Sequence, residues 1–144
     1  MRAGVAISPD TPSTAITDAV AAAADMLLVM TVYPGHSHIV HPLTHPLTCS
    51  PSPQNKTGRG GQKFLDRCVP KVAELRSRFP DMDIEVDGGV GPSTVGVCAD
   101  AGSNVIVAGT AIFGASDPEK VIADLKDTVS TAQAKLESTT STRT

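Results

Sequence analysis

The sequence predicts an α/β protein built on parallel strands, and three observations carry that prediction. Short strand-like runs alternate with helix-like segments four times along the chain, which implies parallel strands joined by right-handed crossovers. Met26-Leu27-Leu28-Val29-Met30-Thr31-Val32 is one unbroken run of apolar character, as expected of a strand buried on both faces. Ile84-Glu85-Val86-Asp87 stops abruptly at a carboxylate followed by Gly88 and Gly89, and the carboxyl ends of parallel strands are where such folds place their chemistry.

In chain order, Ala3 to Ile7 reads as a short strand. Pro9 to Thr14 is turn chemistry leading into an Ala-rich helix from Ala15 to Ala24. After the strand at 26–32, Gln62 to Arg78 reads as a helix, with Leu65, Cys68, Val69, Val72 and Leu75 on one side. Pro70 should kink that helix or start a second segment. Ile84 to Asp87 is the third strand, and Ser93 to Asp100 a short helix that Gly102 can end in a left-handed conformation. Asn104 to Ala108 is the fourth strand, ending at Gly109-Thr110. Ser116-Asp117-Pro118-Glu119 has the form of a capping box opening a helix with Val121, Ile122, Leu125 and Val129 on its apolar face. The tail from Ser138 to Thr144 is rich in Ser and Thr and is expected to be disordered. Four units make half of an eightfold barrel or a small open sheet, and the pattern alone does not separate the two.

Composition narrows the function. The chain has 144 residues, 40% hydrophobic and 19% charged, with a net charge of -3, an ordinary profile for about one globular domain. It is short for a closed eight-stranded α/β barrel, which takes about 250 residues. Mild acidity gives no reason to expect nucleic acid or an anionic membrane as partner. Tyr33 is the one Tyr and there is no Trp, so no aromatic platform for stacking bases exists. Cys49, Cys68 and Cys98 are odd in number and widely spaced, as expected of reduced thiols in a cytoplasmic protein. The apolar stretch from Ala19 to Val32 is interrupted by Asp25 and falls short of a membrane span. The opening apolar residues are too few for a signal peptide.

Asp87 is the leading candidate for chemistry, as an acid/base group or metal ligand at a strand end beside glycines that let a substrate approach the backbone. The competing reading is a strand-terminating Asp that hydrogen-bonds its own turn.

Three segments together resemble the ribulose-phosphate 3-epimerase family. They are Leu28-Val29-Met30-Thr31-Val32 with Pro34-Gly35, then Gly60-Gly61-Gln62-Lys63-Phe64, then Ile84-Glu85-Val86-Asp87-Gly88-Gly89-Val90. The resemblance implies a partial (β/α)8 TIM barrel of about four βα units, corresponding to the carboxyl-terminal half. Residues 1–137 would form this ribulose-phosphate-binding unit, with 36–59 as a disordered loop insertion and 138–144 as the tail. It implies the interconversion of D-ribulose 5-phosphate and D-xylulose 5-phosphate in the pentose phosphate pathway, by proton transfer at C3 through an enediolate held by a divalent metal (zinc, iron, manganese or cobalt). A proton beside a carbonyl is too weak an acid for a free carboxylate, and inversion needs an acid/base group on each face.

By this resemblance Asp87 is both metal ligand and proton donor for one face, and Met30 lines the pocket beneath the enediolate, although an ordinary buried strand Met fits as well. Gly88, Gly89, Gly109 and Thr110 match the family's phosphate-binding positions, where backbone N–H groups need no cationic side chain. Gly35, Gly60 and Gly61 match a glycine loop that closes over the substrate.

Two departures stand out. The family's second acid/base Asp, its two metal-binding His residues and a Ser belong to strands with no counterpart here, and Asp10, Asp18 and Asp25 do not replace them. This chain alone is therefore expected to be inactive or weakly active. A half barrel also leaves two edges and an apolar face unpaired, which invites homo-oligomers or aggregation. The second departure is the segment His36 to Arg59, which splits the glycine loop and holds every histidine of the chain. A His-rich metal loop is one reading, but the prolines and the lack of regular spacing preorganise no geometry. Translated non-coding sequence, such as a retained intron, accounts for it better. The alternatives carried forward are a non-catalytic phosphate-binding half-barrel fragment and a related barrel acting on a hexulose phosphate.

Overall fold

Among the described residues four strands form one parallel sheet in sequence order: β1 (Gly4–Ile7), β2 (Met26–Met30), β3 (Asp83–Asp87) and β4 (Val105–Val107). The structure is a computed structural model that describes residues 1–33 and 62–141, with side chains described to 138. The helices are α1 (Asp18–Ala23), α2 (Val69–Arg78), α3 (Val95–Asp100), α4 (Gly109–Phe113) and α5 (Pro118–Ser141).

The register explains the two faces of the sheet. Leu27 pairs with Ile84, and Val29 with Val86, so alternation sends these four side chains to the same face. They are fully buried, and they pack with Val72 and Leu75 of α2, Val95 and Cys98 of α3, and Leu125 of α5. Met26, Leu28 and Met30 stand in register with Asp83, Glu85 and Asp87 on the opposite face. There Met26, Leu28 and Met30 are only half-buried, so β2 is covered on one side rather than both. The apolar run predicted two covered faces. On that second face Glu85 of β3 is nonetheless buried, beside the half-buried Leu28.

Several boundaries differ from expectation for local reasons. The helix expected over Ala15–Ala24 becomes a 3-10 turn at Ser13–Ala15 followed by α1, because the Thr17 side chain accepts from the Val20 N–H and starts the helix later. Pro70 sits in the first turn of α2, where its missing N–H costs nothing, and a 3-10 turn at Asp66–Cys68 precedes it. The strand expected over 26–32 ends at Met30, because Thr31 turns its hydroxyl onto the end of β3. Gly102 takes φ +104° after α3, as its position suggested. Asp117, not Ser116, caps α5, accepting from the Lys120 N–H at 3.0 Å, with Pro118 as the first helical residue. That helix continues through Ser141, beyond the Ser138 boundary read from composition. Adding residues to an established helix costs little even where Ser and Thr are poor formers. The five-residue α4 has too few turns for periodicity to reveal it.

Candidate active site

The cleft lies at the carboxyl ends of β3 and β4, and its floor is the turn that follows Asp87. Gly88 adopts φ +121° and Gly89 φ +66°, conformations that glycine reaches without a Cβ penalty. A Cβ on Gly89 would stand 2.8 Å from both the Gln62 carbonyl oxygen and the Phe64 nitrogen, so glycine also permits the close approach of segment 62–65. Gly109 and Thr110 begin α4 directly after β4.

These elements bring Asp87, Gly88, Gly89, Gly109 and Thr110 together around one open cavity of about 430 Å3. Val32, Gln62, Val107 and Phe113 complete its walls. Among the described residues Asp87 is its one ionisable lining residue, and no described Lys or Arg lines it. Met30 stands beside Asp87 in the β2–β3 register, on the same face, but is not a lining residue. Gly35, Gly60, Gly61 and the His-rich insertion lie outside the described residues. Gln62, Val32, Val107 and Phe113 were not singled out as site residues. Gln62 had a signal, its place in the Gly-Gly-Gln-Lys-Phe motif, whereas the apolar residues had none that separates a cleft wall from a core.

A polar clip holds the neighbouring loops. The Tyr33 hydroxyl donates to Asp10 at 3.1 Å, and Arg67 donates to Asp10 at 3.0 Å and to the Tyr33 oxygen. The hydrogen bond from Arg67, then that from Tyr33, holds the Asp10 carboxyl below the usual range. Gln62 Nε2 donates to the Tyr33 carbonyl at 3.2 Å, fixing Gln62 at the cleft edge. Asp18 pairs with Arg78, and Asp25 accepts from the Ala3 N–H, so these carboxylates serve structure. On the strand itself Glu85 is buried, and burial, then the Asp87 charge, pushes its carboxyl up.

A divalent metal needs several converging donors. Among the described residues no group of three His, Cys, Asp or Glu converges, and Asp87 is the one carboxylate in the cleft. The described residues alone do not make a metal site. Among the described residues, no helix is long and apolar enough to cross a membrane.

Comparison with known proteins decides the family. A profile of the Ribulose-phosphate 3 epimerase family matches residues 52–113. Ribulose-phosphate 3-epimerase of Candida glabrata is 44% identical over 129 residues, covering 90% of this chain and 43% of the relative. The chain belongs to the ribulose-phosphate 3-epimerase family. A second relative, the cytoplasmic isoform of ribulose-phosphate 3-epimerase from Oryza sativa subsp. japonica, is 42% identical over 137 residues, covering 94% of this chain and 50% of the relative. The chain thus spans about half the length of the curated family members it matches. The solved structure of 3-hexulose-6-phosphate synthase from Salmonella typhimurium superposes with a TM-score of 0.56 at 20% identity, covering 91% of this chain and 50% of that one. That likeness concerns the fold alone, which here is a partial (β/α)8 barrel with a four-stranded parallel sheet.

Proposed function

We propose that this chain carries the phosphate-binding and carboxylate part of a ribulose-phosphate 3-epimerase site, acting on D-ribulose 5-phosphate and D-xylulose 5-phosphate. One observation carries the reading: Asp87, the Gly88-Gly89 turn and Gly109-Thr110 line one cleft at the strand ends. Backbone N–H groups of Gly88, Gly89 and the start of α4 are suited to a phosphate in a cleft that no cationic side chain lines among the described residues. Asp87 is the group in the cleft that can hold or deliver a proton at C3. Val32, Val107 and Phe113 add apolar surface to the walls of the open cleft.

A divalent metal, when bound, would supply Lewis-acid stabilisation of the negative charge that develops on the substrate oxygens. Asp87 would be one of its ligands, and its remaining donors are not among the described residues. The cytoplasm is the proposed location, in keeping with the rice relative, a cytoplasmic isoform.

The test is epimerisation of ribulose 5-phosphate, together with deuterium incorporation at C3, by the purified chain in D2O with a divalent metal. The chain alone is expected to show weak turnover or none, and Asp87→Asn should lower whatever epimerisation and exchange it supports by at least about 100-fold. Sugar-phosphate binding with no C3 exchange in either protein would sink catalysis by this chain alone and leave a phosphate-binding unit.

A further inference from the structure

We infer that Thr31 is a positioning residue: its backbone N–H and its hydroxyl together fix the two peptide planes that carry the Gly88 and Gly89 N–H groups, and so aim those donors at the substrate phosphate. This rests on the reading of the cleft as a pentulose-phosphate site.

Thr31 follows β2 and is completely buried, behind the cleft rather than on its wall. Its backbone N–H donates to the Asp87 carbonyl oxygen at 2.8 Å. Its Oγ1 lies 3.0 Å from that same oxygen and 2.6 Å from the Gly88 carbonyl oxygen. The backbone N–H thus holds the Asp87 carbonyl, and the hydroxyl, with one hydrogen to donate, is placed by its shorter distance on the Gly88 carbonyl. Because a peptide unit is planar and trans, its N–H points opposite to its C=O. The Asp87 carbonyl belongs to the unit that carries the Gly88 N–H, and the Gly88 carbonyl to the unit that carries the Gly89 N–H. With both carbonyls drawn back onto Thr31, both N–H groups point away from it, on the side where the two glycines line the cleft.

Gly88 and Gly89 have no side chains to restrain this turn, and glycine is the residue with the most backbone freedom to lose. The restraint must come from outside the turn, and Thr31 supplies it. The Thr31 carbonyl also accepts from the Leu65 N–H at 2.9 Å, which anchors the segment packed against Gly89. Donors held in place before binding lose less entropy when the ligand arrives.

The competing explanation is that Thr31 merely fills the core. Thr31→Val separates the two, since it keeps the shape and the backbone N–H while deleting the hydroxyl. Thr31→Ser does the reverse, keeping the hydroxyl and losing the methyl. The wild type and both variants would be titrated with ribulose 5-phosphate, following the Gly88 and Gly89 amide resonances, and unfolded in urea. Thr31→Val is expected to unfold cooperatively and bind about tenfold more weakly. Its free-state Gly88 and Gly89 amides should be displaced and exchange faster with solvent, and Thr31→Ser should restore both properties. Binding by Thr31→Val within about twofold of wild type, or equal losses in the two variants, would overturn the inference. If Thr31→Val does not fold, wild-type affinity in Thr31→Ser supports the role of the hydroxyl, and a loss there overturns it. A wild type that binds no sugar phosphate would instead defeat the functional reading. The free-state amides would then decide the matter: displaced in Thr31→Val and restored in Thr31→Ser they support the pinned turn, and unmoved in Thr31→Val they refute it.

Discussion

Gly89 and Gly109 both line the cleft, yet the fold asks different things of them. Gly89 combines φ +66° with backbone atoms 2.8 Å from where a Cβ would stand. An alanine there meets both conformational strain and a clash with main chain that has little room to move. Gly109 has no positive φ and open space around its Cβ position. Gly89→Ala should therefore cost at least about 2 kcal/mol of stability in urea unfolding, whereas Gly109→Ala should stay within about 0.5 kcal/mol. Any loss of sugar-phosphate binding in Gly109→Ala would then report on the cleft, not on the fold. The sequence showed that these glycines sit at strand ends. It could not show which was strained, because that depends on Gln62 and Phe64 approaching from another part of the chain. Thr31 was hidden for the same reason: its hydroxyl partners lie 56 and 57 residues away, and in isolation it is one more β-branched strand residue.

At the scale of elements, Arg76 of α2 ties the helix to two loops at the end of the sheet opposite the cleft. It donates to the carbonyls of Gly102 at 2.9 Å and of Pro80 and Met82 at 2.7 Å each, and to the Asn104 side chain at 3.1 Å. Asn104 in turn contacts Asp83 and the Ile84 N–H, so one guanidinium orders the starts of β3 and β4. Burial pulls the Arg76 pKa down, opposed by the nearby Asp83 and Asp81 charges, and an arginine side chain stays charged in proteins. Arg76→Ala should destabilise the chain by about 2–3 kcal/mol, and Arg76→Lys should recover only part, since a lysine lacks the planar fork. Urea unfolding monitored by circular dichroism checks both. All four strands were legible because short apolar, β-prone runs end sharply at glycine or polar residues, although the β2 run overstated how far that strand is buried. The α4 helix was not, since one turn and a half carries no amphipathic period. The cap of α5 slipped by one residue because Ser116 and Asp117 are both good caps, and the choice falls on the one preceding Pro118.

At the scale of the whole molecule, stability against pH reflects how the sheet's second face is used. Glu85 stands on that face between Leu28 of β2 and Val105 of β4 in register, with Asp87 two residues along the same strand. Burial and the Asp87 charge raise its folded-state pKa above 4.5, its ordinary value. A carboxyl raised in the folded state stabilises the fold when protonated. That contribution is complete below the unfolded-state pKa and is lost as pH rises through the folded-state value. Asp10 and Asp83, whose carboxyls are held low by hydrogen bonds, from Arg67 and Arg2 first, act in the opposite sense and lose stability as pH falls. The wild-type profile mixes these contributions, so the difference between wild type and Glu85→Gln isolates Glu85. The amide keeps the shape without the charge, so Glu85→Gln should melt above wild type at pH 7. The gap should narrow as the pH is lowered and close below about pH 4, where the carboxyl is protonated in both states. A melting-temperature difference that stays constant from pH 7 to pH 4 would mean the Glu85 charge is not what the folded sheet bears.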